Sequence, residues 1–250
     1  MKRILLGAAS VLLAGTARAE PVAATIELVN VPAGCFLMGT QLGEKHERPV
    51  HKVCVSAFQI GKFEVTQAQW RTAMGTNPAR FSACGDDCPV EQVSWSDVQA
   101  FLAKLASEKA GVFRLPTEAE WEYACRSGGK EEIYPGGVSS LEVGKIAWFN
   151  KQEADNTTHP VGGKDPNGLG IHDMAGNVWE WVQDTFNSPY AAAGENNPRV
   201  EDADPNAKRV IRGGSWDQKI NYVRCGIRNR YATDTRDPRI GLRVVREIAK

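Results

Sequence analysis

Arg114-Leu115-Pro116-Thr117-Glu118-Ala119-Glu120-Trp121-Glu122-Tyr123-Ala124-Cys125 is the stretch on which the reading of the fold turns. Thr117 followed three residues later by Glu120 forms a capping box, in which each side chain satisfies a backbone N–H that the first helical turn leaves unpaired. Trp121, Ala124 and Cys125 then recur on one side, so the spacing predicts an amphipathic helix opening after Thr117. Upstream, Val98, Phe101, Leu102 and Leu105 mark one buried face of a second helix with Ser96 as its N-cap. Thr66 with Gln69 three residues on marks the start of a shorter one. Elsewhere, short apolar pieces at 26–31, 36–38, 53–60, 210–211 and 242–245 are separated by clusters of Gly, Pro, Asn and Asp. This is the pattern of a loop-rich domain with little regular structure. Its long irregular segments need disulfides or bound ions to offset their conformational entropy.

Thirty basic and thirty acidic side chains cancel, so the overall charge gives no basis for binding nucleic acid or an acidic membrane surface. Met1-Lys2-Arg3, an uncharged run over residues 4–15 and Ala17-Arg18-Ala19 read as a secretory signal over residues 1–19, cleaved before Glu20. Residues 20–250 then form a single domain, periplasmic or secreted, with no later apolar run of membrane-spanning length. All six cysteines, Cys35, Cys54, Cys84, Cys88, Cys125 and Cys225, lie beyond the leader, and an even number in an exported chain predicts disulfides. Cys84-x-x-x-Cys88 as half of a zinc site lacks a second Cys or His pair near it in sequence. The residues alone leave the connectivity open.

Three further motifs follow the opening stretch in order: Gly176-Asn177-Val178-Trp179-Glu180-Trp181, Arg212-Gly213-Gly214-Ser215-Trp216 and Gly241-Leu242-Arg243. With Met38-Gly39, Glu64-Val65-Thr66 and Pro89-Val90-x-x-Val93-Ser94-Trp95, they resemble the formylglycine-generating enzyme, or sulfatase-modifying factor, family from about Val31 onward. The resemblance implies an elaborated C-type-lectin-like α+β fold, loop-rich with few helices and short strands. Read by itself, the segment from Asp173 to Glu180 places two carboxylates and several carbonyls in a Gly-containing turn, oxygen chemistry suited to Ca²⁺. The resemblance maps a calcium loop onto the Asp173 and Glu180 side chains and the Gly176 and Val178 carbonyls. A second family calcium site falls in the region of residues 149–158, where no ligands align. The resemblance also pairs Cys125 with Cys225, leaving Cys84 with Cys88 and Cys35 with Cys54, the latter linking two apparent strands. A further family bridge falls on Glu108 and Val244, both lacking sulfur.

What the chain lacks decides its chemistry. The family's oxidase binds copper(I) through two cysteines beyond the Gly-Gly-Ser segment, and soft thiolates suit that ion. Here the first falls on Gln218 and the second on Val223 or Ile220, so no copper and no formylglycine-forming activity are expected. His46, His51, His159 and His172 do not assemble an iron site in sequence, and His159 reads as part of a loop entering a strand. Ser215 lacks the flanking glycines of a nucleophile elbow. No catalytic residue is assigned. A cleft lined by Trp179, Ser215, Trp216, Gln218 and Arg224 is the candidate ligand site. The arginines of the last segment, Arg224, Arg228, Arg230, Arg236, Arg239 and Arg243, are expected mostly to pair with the nearby Asp217, Asp234 and Asp237. Two functions fit. One is a calcium-stabilised accessory module that binds a protein partner or small ligand. The other is an oxidoreductase acting on a small molecule or peptide, similar to pyoverdine-maturation members of the family.

Overall fold

Side chains that close helix N-termini set the frame. The computed structural model describes residues 21–108, 110–149, 156–187, 190, 194–204 and 206–248; the expected leader lies outside them. Among these residues the helices are α1 (Val22–Thr25), α2 (Gln67–Met74), α3 (Trp95–Ser107) and α4 (Glu118–Cys125). Thr66 with Gln69 and Thr117 with Glu120 form reciprocal capping boxes at α2 and α4, as their spacing predicts. At α3 the cap is Ser94 and not Ser96. Ser94 accepts from the Asp97 N–H at 3.1 Å, and Asp97 accepts from the Ser94 N–H at 2.9 Å. Only that start puts an acid at the third helical position.

The strands are β1 (Leu28–Val31), β2 (Gly34–Met38), β3 (His51–Val55), β4 (Phe58–Gly61), β5 (Phe113–Arg114), β6 (Trp179–Thr185), β7 (Arg209–Arg212), β8 (Arg228–Tyr231), β9 (Ile240–Leu242) and β10 (Val245–Arg246). They form two four-stranded sheets, β1-β4-β10-β5 and β8-β7-β6-β9, and the hairpin β2-β3. Two apolar pieces of the sequence therefore divide: residues 53–60 break between β3 and β4, and residues 242–245 cross from one sheet to the other at Arg243-Val244. One apolar cluster joins Val98, Phe101 and Leu105 of α3 to Trp70 and Trp181. Another gathers Phe36, Val53, Trp121 and Tyr123 about α4.

All eight residues of α4 are buried, and it packs on β2, β3, β6 and β7. Three of those residues are glutamates, and each is met by arginine. Arg228 grips Glu118 at 2.7 and 2.6 Å, and Arg114 grips Glu120 at 2.7 Å through both terminal nitrogens. Glu122 takes Arg212 at 2.5 Å, Arg126 at 2.9 Å and the Gly39 N–H at 2.9 Å. Burial alone would push the Glu122 carboxyl up, but Arg212 and Arg126 outweigh it and hold it below its ordinary value.

The three disulfides are Cys125–Cys225, the pair that the family resemblance implied, and Cys35–Cys54 and Cys84–Cys88, the pairs left for the remaining cysteines. Cys35 and Cys54 face each other across β2 and β3. Cys125–Cys225 joins residues 100 apart and ties the end of α4 to the C-terminal segment, a loop whose closure removes about 4–5 kcal/mol of unfolded-state entropy in the chain-entropy view. Glu108, at one position of the family bridge missing here, accepts the Val22 and Ala23 N–H groups at 3.1 and 2.8 Å, and so holds α1.

Removing one partner of the α4 network strands buried charge. Glu122→Ala is expected to lower the unfolding free energy by about 3–5 kcal/mol in urea titration. Arg236→Ala, which breaks an exposed pair with Asp97, is expected to leave the urea midpoint nearly unchanged.

Candidate functional site

The segment expected to be a calcium turn is also the entry to the central strand of the second sheet. Asp173, Gly176 and Asn177 adopt φ of +57°, +77° and +52°, and β6 begins at Trp179. Gly176 is obligatory: a Cβ there would stand 2.0 Å from the Trp148 carbonyl oxygen. Glu180 is fixed by Arg243, at 2.8 Å to the nearer nitrogen, and by the Trp121 indole N–H at 2.7 Å. Glu64, absent from the sequence-based ligand set, accepts the Asn177 side-chain amide at 2.7 Å and the Val178 N–H at 3.1 Å. Asp173 Oδ2 accepts the Gly162 N–H at 2.7 Å, while Oδ1 is buried without a partner. Burial, then the Asp173 and Glu180 charges, push the Glu64 carboxyl well up; burial likewise raises Asp173.

Three buried carboxylates thus lie in the field of one guanidinium, which is bonded to Glu180 alone among them, and one Asp173 oxygen has no donor. That surplus of negative charge fits a divalent cation. Among the described residues no three His, Cys, Asp or Glu side chains converge on one metal position, so an ion here would need backbone carbonyls among its ligands. Asp173 and Glu180, with the Gly176 and Val178 carbonyls, would hold the ion. Most of the second family site, residues 150–155, lies outside the described residues.

Four of the five expected cleft residues lie about this entry. Trp179 is core, 3% exposed. Ser215 is buried, and its hydroxyl donates to Asp217 at 2.9 Å. The Trp216 N–H binds the Asn177 carbonyl at 2.8 Å, and its ring meets Phe81 edge-on at 5.4 Å. The Gln218 N–H turns back to the Ser215 carbonyl at 3.0 Å. Arg224 is held elsewhere, bidentate on Glu47 at 2.9 and 3.0 Å. The other late arginines are mostly paired, but with partners remote in sequence: Arg228 with Glu118, Arg236 with Asp97 and Arg243 with Glu180. Only Arg239 meets the expected Asp237 and Asp217. His159 stacks on Trp148 at 3.9 Å in a segment without strand, contrary to expectation. His46, His51 and His172 bind the carbonyls of Arg228, Pro49 and Lys164 in turn.

Glu91 is the residue the sequence analysis missed. It is fully buried; Oε1 accepts the Phe81 N–H at 2.8 Å and Oε2 has no partner. Burial pushes its carboxyl up to about 7, against the pull of the Phe81 and Arg80 N–H groups. An acid between Val90 and Val93, in a segment otherwise suited to the core, was the available signal.

The sulfatase-modifying factor enzyme 1-like domain family matches residues 14–248. The chain belongs to this family. It is similar to the chaperone protein LppX of Paenibacillus barcinonensis, with 30% identity over 88% of this chain and 89% of LppX. It is also similar to the formylglycine-generating enzyme of Streptomyces coelicolor, with 32% identity over 86% of this chain and 87% of the enzyme. Among solved structures it is similar to PvdO from Pseudomonas aeruginosa, with 28% identity, a TM-score of 0.75, and coverage of 88% and 94% of the two chains. The α+β arrangement of short strands and few helices is thus the formylglycine-generating-enzyme-like fold.

Within this sulfatase-modifying factor domain, Gln218 stands where the oxidase's first thiolate is expected, and every cysteine is disulfide-bonded. A buried ionisable group near Trp216 is Glu91, which holds the N–H of Phe81, the residue whose ring meets Trp216. Its raised folded-state value means that stability is fully present below about pH 4.5 and is lost as pH rises toward about 7. Glu91→Gln cannot ionise. Its stability relative to wild type is therefore expected to improve across that window, by on the order of 3 kcal/mol at most, in urea titrations at stepped pH. A difference that stays flat with pH contradicts the assignment.

Proposed function

We propose that this protein is an exported accessory member of the sulfatase-modifying factor family, a calcium-stabilised scaffold that binds a protein partner or small ligand and does not oxidise cysteine. The observation that carries this reading is the cysteine inventory: all six sulfurs are used in three bridges, and the family resemblance puts Gln218 where the first thiolate would stand. A copper(I) site needs soft thiolates, and bridged sulfur does not supply them. Three disulfides and the N-terminal signal pattern support a periplasmic or secreted location. Similarity to a protein named as a chaperone supports an accessory role. The segment from Asp217 to Arg239, with Tyr222 and Arg236 exposed, is the surface offered to the partner.

A second reading, an oxidoreductase acting on a small molecule or peptide, is favoured by the buried Glu91 Oε2, which has no partner. Two assays separate the readings. With copper(I), oxygen and a sulfatase-derived cysteine peptide, the purified chain is expected to leave the peptide mass unchanged; aldehyde formation overturns the proposal. A photocrosslinking residue at 222 or 236, in the cell that makes the protein, is expected to trap a discrete adduct that the same residue at 141 does not. No adduct from 222 or 236 gives first place to the oxidoreductase.

For calcium, the midpoint of thermal unfolding is expected to rise by roughly 5–10 °C at a hundredfold excess over Kd. Asp173→Ala is expected to lose that shift. A wild-type midpoint indifferent to calcium and chelator removes calcium from the account.

A further inference from the structure

An apolar-lined cavity lies between the β2-β3 hairpin and the loop after α4. Its volume is about 570 Å³, within the range of small-molecule sites. Its walls include Phe36, Leu37, Leu42, Val50 and Ile133. Leu37, Leu42 and Ile133 are 54%, 80% and 49% exposed, three of the seven large apolar side chains that the described residues leave open to water. Such clustering of exposed apolar surface around one concavity marks a binding site more than chance placement does.

The polar part of the lining has one sign. Lys52, Lys130, Arg126 and Arg224 line the cavity against a single acid, Glu131. The carboxylates that hold the two arginines, Glu122 and Glu47, are fully buried and do not line it, so each guanidinium lies between its partner and the open space. Lys52 is paired with Glu195 at the exposed rim. Arg224 spends three of its five N–H groups on the Asn221 carbonyl and Glu47. Among the described residues the other two have no acceptor.

We propose that this cavity binds a small anionic amphiphile, an apolar chain ending in a carboxylate, phosphate or sulfonate. The chain would lie on Leu37, Leu42 and Ile133. The head would take the open guanidinium N–H groups of Arg224, with Lys52 and Lys130 adding attraction. The cavity shares Arg224 and Gly226 with the segment from Asp217 to Arg239, while neither Gln218 nor any residue from Asp173 to Glu180 lines it.

Decanoate and decyltrimethylammonium share an alkyl chain and differ in the sign of the head. Titrated calorimetrically against the mature protein, below micelle formation, decanoate is expected to bind one per chain and at least about tenfold more tightly than the cation. The double variant Leu42→Asp, Ile133→Asp is expected to weaken decanoate at least about tenfold, while Leu141→Asp, at an exposed apolar residue elsewhere, leaves it within about twofold. Lys52→Glu with Lys130→Glu is expected to weaken decanoate and not the cation. These side chains are exposed, and near-ultraviolet circular dichroism confirms that each variant is folded. No saturable binding of decanoate, equal binding of the two heads, or equal loss in Leu141→Asp overturns the proposal. The first of these outcomes is also what a cavity reserved for a protein segment gives.

Discussion

Helix α4 carries Glu118, Glu120 and Glu122 into a part of the molecule from which water is excluded, and the rest of the structure is arranged to make that tolerable. A buried carboxylate is costly unless paired and hydrogen-bonded. Arg228 and Arg212 arrive from β8 and β7, Arg114 from β5, and Arg126 from the turn after the helix. Each pairing fixes where a distant segment must lie. Arg212 also spans to the Cys225 carbonyl, beside the disulfide that anchors the end of the same helix. The ion network and the Cys125–Cys225 bridge therefore bind the same two halves of the chain.

The same logic, applied at Arg243, organises the entry to β6. There the balance is incomplete: Arg243 is bonded to Glu180, the Glu64 and Asp173 carboxyls add to the same buried field, and an Asp173 oxygen is left without a donor. A structural cation would offset that imbalance. The cysteines tell a similar story, because sulfur serves cross-linking throughout: at the hairpin, in the short Cys84–Cys88 loop and beneath the C-terminal segment. The family's framework persists in this chain with its thiol chemistry absent from the expected place.

Local signals in the sequence were legible where a few neighbouring residues determine the outcome. The caps at Thr66 and Thr117 and the buried stripe of α3 are of this kind; the α3 cap was misplaced by two residues because Ser94 and Ser96 both precede the stripe and only Asp97 distinguishes them. Strand β6 was hidden inside a motif that reads as a turn, since pairing with β9 on one side and β7 on the other buries almost every residue and erases the alternation that betrays a half-exposed strand. Partners of the late arginines were equally illegible, because sequence proximity offered Asp234 and Asp237 while folding supplied Glu47, Glu118 and Glu180. The apolar cavity draws on residues near 37, 42, 130 and 224, which no window of sequence brings together.

The central claim is that sulfur in this protein is structural and fully committed. Intact-mass measurement after denaturing alkylation without reductant tests it most directly, followed by peptide mapping of the linked fragments. The account predicts no alkyl adduct and the three pairs Cys35–Cys54, Cys84–Cys88 and Cys125–Cys225. An alkylated Cys225, or any cysteine found free, would contradict it and return a thiol to the chemistry of the cleft.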